Sequence, residues 1–178
     1  MYQDPQTFFA ALDLLSEATV KYLIQQKRSG VDAVQIFDTW LSEMPRAIFN
    51  KFYVPLINRL FSQVRESGLK VIYFAKGSCH LLEDFRQLHC DVLSVDQTVD
   101  LLSVEKLTQA QFALQGNLDP VLLLKADSGL VRRETRLLVQ EARQLKRPAI
   151  LNLGHGILPA TPLENAKAFI EEARTQWI

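Results

Sequence analysis

Five short apolar runs of strand length alternate with longer segments of helical period, and this alternation limits the possible folds more than any other feature. The runs lie at residues 33–37, 70–75, 91–95, 112–115 and 149–153. Strands separated by helices predict a parallel sheet with right-handed crossovers, either an open doubly wound sheet or a closed barrel. The chain has 178 residues and no low-complexity linker. It is therefore predicted to form a single α/β domain over residues 1–178, since one domain takes about 150 residues.

The helical segments have recognisable start and stop signals. Asp4 followed by Pro5 predicts the N-cap and first residue of a long helix, and Gly30 predicts its end. Pro55 predicts a kink in the next helix, because proline lacks the N–H that bonds one turn back. Further helices are predicted at residues 45–67, 81–88, 103–110 and 132–145, and from residue 161 onward.

Caps are predicted for two of the later helices. Ser103 is the expected N-cap of the helix that follows it. Thr161 with Glu164 three residues later has the spacing of a capping box, which predicts the start of the last helix. Pro148 is expected to end the charged helix before the last strand.

The charge balance excludes a broad electrostatic interface. Twenty Lys and Arg residues offset twenty Asp and Glu residues, so no overall field attracts nucleic acid or an anionic membrane. No apolar run approaches the roughly 18 residues of a membrane span, and the first residues do not have the pattern of a secretory signal. These features predict a cytoplasmic protein with no nucleic-acid or membrane partner. Cys79 and Cys90 are too few for a disulfide scaffold.

Polar or glycine-containing segments follow four of the five predicted strands, at residues 38–39, 76–78, 115–119 and 154–156. In open parallel sheets and in barrels, the loops at the carboxyl ends of the strands build the functional site. We therefore expect the functional groups to gather at this end of the sheet. Because the chain has no net charge, an anionic ligand would be met by local groups there.

Four sequence blocks in these regions form a distinctive series. They read QIFDTW at residues 35–40, FAKG at 74–77, LQGNLDP at 114–120 and NLGHGILP at 152–159. In these blocks, and in their order and intervals, the chain resembles the uroporphyrinogen decarboxylase family. The resemblance runs essentially from end to end of the chain. It corresponds to the carboxyl-terminal half of a family whose chains are about twice this length.

The resemblance implies a partial (β/α)8 TIM barrel with about five parallel strands. It also implies a carboxy-lyase of haem and porphyrin biosynthesis, which converts the four acetate side chains of uroporphyrinogen to methyl groups and yields coproporphyrinogen. No metal or organic cofactor is implied, and the family forms homodimers. The family's substrate-facing Asp and paired Arg residues belong to the amino-terminal half. The resemblance therefore assigns no catalytic residue to this chain, and we expect the chain alone to be inactive.

Three residues match substrate-binding positions of the family. Phe37 matches a phenylalanine beside the substrate ring, Thr39 a hydroxyl that binds a substrate carboxylate, and His155 a substrate-contacting histidine. Each also has a structural interpretation, as barrel core, as a cap and as a donor within a turn, respectively. The chain departs from the family at Gln97, where tryptophan is usual, and at residues 41–43, which replace a glycine-containing loop.

Three polar residues near these blocks have two interpretations each. Asp119 precedes Pro120 and is expected to cap a helical turn, and Asp96 is expected to anchor a loop, in preference to contacting substrate. Lys76 either binds a substrate carboxylate or is a solvated lysine at the barrel rim.

A metal site is not predicted. Cys79, His80, His89 and Cys90 form two adjacent pairs whose spacing fits no standard zinc pattern. Related methyltransferases on the same fold carry a zinc-binding His-x-Cys at the second strand, where this chain has residues 74–76 with the sequence FAK. A methyltransferase is therefore the least favoured hypothesis. The main alternative to half of a decarboxylase is a truncated, non-catalytic fragment that keeps a tetrapyrrole-binding or dimerising surface.

Overall fold

The computed structural model describes residues 3–177 and contains one parallel sheet of five strands in the order β1–β2–β3–β4–β5. Met1, Tyr2 and Ile178, at the ends of the predicted domain, lie outside the described residues. The strands are β1 (Ala33–Asp38), β2 (Lys70–Ala75), β3 (Val92–Ser94), β4 (Ala113–Leu118) and β5 (Ala149–Leu153). The five predicted strands and their parallel arrangement are confirmed. The clearest difference is at the end of β4, which continues three residues further than predicted.

Helices connect the strands in sequence. They are α1 (Pro5–Arg28), α2 (Arg46–Ile48), α3 (Val54–Glu66), α4 (Leu101–Leu107), α5 (Pro120–Lys125), α6 (Ser128–Ala142) and α7 (Leu163–Trp177). As predicted, α1 begins at Pro5, with the Asp4 carboxylate accepting a hydrogen bond from the Thr7 N–H at 3.0 Å. Within residues 3–177, no helix is both long and apolar enough to cross a membrane.

The two faces of the sheet carry different side chains. The helix-covered face has a row of apolar residues in register, including Tyr73, Leu93 and Leu114, and these are almost fully buried. We call the opposite face the inner face. It carries a second row in register, with one residue from each strand: Phe37, Phe74, Ser94, Gln115 and Ile150. This row mixes polar and apolar residues, and its two end members are exposed. The hydrophobic core therefore lies between the sheet and the helices.

The region predicted as one helix over residues 45–67 is divided in the structure. A turn of π-helix, Phe49–Tyr53, separates α2 from α3. Pro55 is the second residue of α3, where its missing N–H leaves no hydrogen bond of the helix interior unmade. A widened turn thus lies just before the proline, and the kink itself stays a prediction. Gly68 follows α3 with φ of +84°, a left-handed conformation that glycine adopts without strain.

Several predicted helix boundaries are wrong. The helix expected at residues 81–88 is a pair of 3-10 turns, Cys79–Leu81 and Asp84–Gln87. The N-cap of α4 is Asp100, whose carboxylate accepts from the Ser103 N–H at 2.7 Å. The charged helix α6 begins four residues before the predicted start and ends at Ala142, well before Pro148. The short helix α5 was predicted only as a helical turn capped by Asp119.

The capping box predicted at the last helix is also wrong. Helix α7 begins at Leu163, and the Asn165 N–H donates to the Pro162 carbonyl at 3.1 Å. The Thr161 hydroxyl is buried and has no hydrogen-bond partner within residues 3–177. Thr161 therefore precedes the cap position, and the backbone of Pro162 starts the helix.

The sheet has two open edges within the described part of the chain. β1 pairs on one side with β2, and β5 pairs on one side with β4. Helix α1, which leads into β1, exposes Leu14, Leu15 and Tyr22. Helix α7, which follows β5, exposes Leu163 and Ile170 at a spacing of seven residues. Apolar side chains thus flank both edges.

Candidate functional site

A cleft of about 550 Å³ opens at the carboxyl ends of the strands. Its walls come from β1, β2, β3, β5 and the loops that follow them. The lining residues are Gln35, Phe37, Thr39, Phe74, Lys76, Ser94, Asn152, Leu153, His155, Gly156 and Ile157. The structure thus brings the three predicted residues Phe37, Thr39 and His155 together in one cavity. Their role in substrate binding stays a prediction.

Asp38, the last residue of β1, is fixed by hydrogen bonds on the helix-covered side of the sheet. The Tyr53 hydroxyl and the Tyr73 hydroxyl both donate to Asp38 Oδ2, the latter at 3.0 Å. Burial, followed by the negative charge of Asp38, raises the pKa of Tyr53, and burial also raises that of Tyr73. Both hydroxyls therefore keep their protons. Because side chains alternate along a strand, fixing Asp38 on one face turns Phe37 and Thr39 toward the cleft.

Phe37 and Phe74 form the apolar wall of the cleft. Their ring centroids are 6.0 Å apart with planes at 69°, an edge-to-face arrangement. Phe37 is 67% exposed, so in this chain it is not a core residue. Its ring is free to pack against a flat apolar ligand. Thr39 is also exposed, and its hydroxyl can donate to a carboxylate without adding charge.

His155 lies in the turn after β5 and is partly buried. Its Nδ1 is 2.9 Å from the carbonyl oxygen of Gly156. A carbonyl can only accept, so this contact requires the hydrogen on Nδ1 and leaves the lone pair of the neutral ring on Nε2. The neutral ring therefore offers an acceptor at Nε2. Only the protonated ring donates from Nε2 to a carboxylate. The Nδ1 contact itself agrees with the structural interpretation of His155 as a donor within a turn.

Gly154 fixes the position of this turn. Its N–H donates to the Leu118 carbonyl at 2.8 Å. A Cβ atom at this residue would lie 2.5 Å from the backbone nitrogen of Gln97 and would also overlap the Gln97 side chain. The turn is thus packed directly on Gln97, in the loop after β3. The Gln97 Oε1 atom is buried and has no hydrogen-bond partner within residues 3–177.

A hydrogen-bonded group of polar side chains lies on the inner face beneath the cleft. Gln115 Nε2 donates to Gln35 Oε1 at 3.1 Å and to Ser94 Oγ at 3.0 Å. Gln115 is buried, and the bond to Gln35 joins β4 to β1 across two intervening strands. Sequence analysis did not select Gln35, Ser94 or Asn152. The available signal was a single polar residue inside each apolar strand.

The loop after β2 is fixed on both sides of Lys76. The Gly77 N–H donates to Asp96 Oδ2 at 2.5 Å, and the Ser78 hydroxyl donates to the Ala75 carbonyl at 2.7 Å. Asp96 also accepts from the Thr98 N–H at 2.9 Å. Asp96 is therefore a loop anchor, as expected. Lys76 itself is exposed on the cleft and forms no ion pair among the described residues.

A second cleft, of about 660 Å³, lies between the loops after β3 and β4 and helix α6. Its lining includes four acidic residues, Asp100, Asp119, Glu134 and Glu141, and no Lys, Arg or His. Asp119 caps α5 by accepting from the Val121 N–H at 2.8 Å, which confirms the predicted cap. Glu141 accepts from the Leu102 N–H at 3.0 Å. Asp100, Asp119 and Glu141 thus hold helix starts in place.

The Cys and His residues near the 3-10 turns do not form a cluster. Cys79 is exposed and Cys90 is buried, and burial raises the pKa of the Cys90 thiol to about 12. His80 Nε2 lies 3.2 Å from the Met44 carbonyl. Across residues 3–177, no three His, Cys, Asp or Glu side chains are grouped so that they can share a metal ion.

Comparison with known sequences identifies a family over nearly the whole chain. Residues 1–176 match the family described as Uroporphyrinogen decarboxylase (URO-D). A protein from Thermus thermophilus, named uroporphyrinogen decarboxylase, is 37% identical over 171 residues, which cover 96% of this chain and 49% of the relative. A protein of the same name from Geobacillus kaustophilus is 36% identical over 176 residues, covering 97% and 50% respectively. The chain thus spans about half the length of the curated relatives it matches.

Comparison with solved structures identifies the fold. A structure described as a methyltransferase from Methanosarcina mazei superposes with a TM-score of 0.82 over 95% of this chain and 49% of that one. The sequence identity is 23%, so the likeness shows the fold alone. Together with the five parallel strands alternating with helices, it confirms the predicted partial (β/α)8 TIM barrel.

Proposed function

Because the chain belongs to the uroporphyrinogen decarboxylase family, we propose that it supplies the carboxyl-terminal half of a barrel that decarboxylates uroporphyrinogen. The product is coproporphyrinogen, an intermediate on the route to haem. The observation that carries this proposal is the convergence of Phe37, Thr39 and His155 on one cleft at the carboxyl ends of the strands. A cytoplasmic location and a homodimer of the completed enzyme are parts of the same proposal.

The proposed reaction needs stabilisation of charge more than it needs a strong nucleophile. A proton adds to the pyrrole α-carbon next to the ring carbon that carries the acetate arm and makes the ring cationic. The bond to the carboxylate then breaks, carbon dioxide leaves, and the electron pair neutralises the ring by forming an exocyclic methylene group. Protonation of that methylene and loss of the first proton give the methyl group. The protein must orient the anionic arms and stabilise the cation.

The cleft residues suit the orienting part of this task. The exposed Phe37 ring packs against the tetrapyrrole, and the Thr39 hydroxyl donates to a side-chain carboxylate. His155 has two uses, set by the hydrogen on Nδ1. Its neutral form accepts a hydrogen bond at Nε2, and its protonated form donates from Nε2 to a carboxylate. We assign His155 to a carboxylate arm, to which the protonated ring donates from Nε2.

The other half of the barrel would supply the remaining chemistry. The cleft is lined by no Asp or Glu among the described residues, so this chain offers no carboxylate there to face the pyrrole N–H groups. A closed barrel has eight strands, and this sheet has five. The apolar residues exposed on α1 and α7 flank both open edges, where the missing units would pack.

Two measurements test the proposal. The chain alone is expected to show no turnover of uroporphyrinogen, and mixing it with the amino-terminal half of a relative is expected to restore activity. In the restored enzyme, His155→Ala should lower kcat/KM about ten- to a hundred-and-fifty-fold, because a hydrogen bond to a charged group contributes about 1.5–3 kcal/mol. His155→Asn keeps a donor and should recover part of the loss. Turnover by the chain alone above its own His155→Ala control would contradict the proposal.

The second candidate function is non-catalytic: the chain would be a truncated fragment that binds tetrapyrroles or associates with itself. The exposed apolar residues on α1 and α7 and the unpaired edges β1 and β5 favour self-association. Light scattering over a range of concentrations tests this. A mass that rises with concentration supports association through the edges, whereas a monomer at every concentration contradicts it.

A further inference from the structure

The two clefts at the carboxyl ends of the strands differ in charge although the whole chain is neutral. The second cleft is lined by four acidic residues and no basic one. The first cleft is lined by Lys76 and His155 and by no acidic residue. An anionic ligand is therefore repelled from one cleft and attracted to the other. This contrast favours the first cleft as a site for carboxylates.

Lys76 is the fixed positive charge of the first cleft. Its backbone is held by the hydrogen bonds of Ala75, Gly77 and Ser78, which tie the loop to itself and to Asp96. The acidic anchor of this loop is already engaged, since Asp96 accepts from the N–H groups of Gly77 and Thr98. The Lys76 ammonium group, by contrast, has no carboxylate partner among the described residues.

Lys76 differs from the other exposed lysines because it lines the first cleft. Other exposed lysines, such as Lys125 at the end of α5, line neither cleft. Lys76 shares its cleft with the Thr39 hydroxyl, a neutral donor, and with the Phe37 ring, an apolar surface. Apolar walls with a few convergent donors are typical of sites that hold an apolar ring with polar arms.

From these observations we propose that Lys76 is a carboxylate-binding residue that selects tetrapyrroles whose arms all carry carboxylates. This inference rests on the proposed function, because it assigns the ligand to the same cleft. Lys76 binds through a compact ammonium charge, so it contributes attraction and selectivity without a fixed bidentate geometry. It holds an anionic arm and is not assigned a part in breaking the bond to carbon dioxide.

The probes are uroporphyrin, the stable oxidised form of the proposed substrate, and coproporphyrin, whose acetate arms have become methyl groups. Binding is followed by porphyrin fluorescence at low ionic strength. The variants Lys76→Arg, Lys76→Met and Lys76→Glu form a charge series. Lys125→Met is the matched control, and thermal unfolding of each variant monitors the fold. Lys76 is exposed, so none of these changes disturbs the core.

The expected result is a graded loss of affinity for uroporphyrin. Lys76→Arg should bind about as well as the unsubstituted chain, Lys76→Met about tenfold more weakly, and Lys76→Glu more weakly still. Coproporphyrin should show a smaller dependence on residue 76, and added salt should reduce the whole effect. Equal affinities across the series would overturn the assignment of Lys76 while leaving the proposed function intact. Failure of the unsubstituted chain to bind either porphyrin would overturn both.

Discussion

An alanine at residue 154 would place its methyl carbon against the loop after β3. The Cβ atom would lie 2.5 Å from the Gln97 nitrogen, about 0.9 Å short of the 3.4 Å at which ordinary contact begins. The neighbour is backbone, so it cannot rotate away as a side chain can. Either the Gln97 loop or the turn that carries His155 must move. Gly156, on the other side of His155, has nothing within 4 Å of the same added atom and supplies the matched control.

The size of the effect follows from this overlap. Overpacking of a close contact costs about 1–3 kcal/mol, and the hydrogen bond from Gly154 to Leu118 would be strained as well. For a chain of this length, each kcal/mol lowers the melting temperature by roughly 2–4 °C. Gly156→Ala should leave stability nearly unchanged or raise it slightly, because alanine reduces the freedom of the unfolded chain.

Thermal and urea unfolding of the two variants measure the difference directly. Shortening the neighbour as well, in Gly154→Ala with Gln97→Ala, should recover only part of the loss, since the Gln97 nitrogen stays in place. Equal stability of Gly154→Ala and Gly156→Ala would refute the reasoning. So would full recovery in the double variant, because the clash would then lie with the side chain alone.

Three further predictions concern buried groups. A thiol reagent at neutral pH should label Cys79 in the folded chain and leave Cys90 unmodified until denaturant is added, since burial raises the pKa of Cys90 to about 12; equal labelling of both would contradict its burial. The free energy of unfolding should fall as the pH rises from about 9 toward 12, because the unfolded Cys90 thiol loses its proton above its ordinary value of 9.0 while the folded one keeps it; a stability that is flat over this window in urea titrations would speak against it. Tyr73→Phe should lower the free energy of unfolding by about 1.5–3 kcal/mol, because Asp38 loses a charge-assisted hydrogen bond; the same change in a chain that already carries Asp38→Asn should cost clearly less.

The strands were predictable because they are apolar, short and separated by clear stop signals. The parallel direction of the strands follows from the intervening helices, whereas the helical period alone leaves open whether the strands form a doubly wound sheet or a barrel. Helix starts were harder, because several polar residues stand near each start. Asp100 and Ser103 both suit an N-cap, and the structure uses Asp100. The π-helical turn before Pro55 depends on tertiary packing, which local patterns do not record.

The candidate site was predictable where a distinctive block carried it. Phe37 and Thr39 came from one block and His155 from another, and the structure places all three on one cleft. Their neighbours Gln35 and Asn152 begin two of these blocks but were not selected, and Ser94 lies outside the blocks. Recognising them requires the register of the strands, which shows that all three point to the inner face. The hydrogen on His155 Nδ1 likewise depends on the folded turn.

The hydrogen bond from Gln115 to Gln35 determines how this chain would meet a completing half. By joining β4 to β1 it holds the sheet curved while both edges are still unpaired. A polypeptide that supplies the remaining strands therefore encounters a surface already shaped to receive it, and the curvature costs no further ordering when the two halves meet. If the proposed completing half is also folded beforehand, the encounter of the two halves would limit assembly. Its observed rate should rise in proportion to the concentration of the added half, and breaking this one bond should slow docking without removing any residue of the cleft wall formed by Phe37 and Phe74.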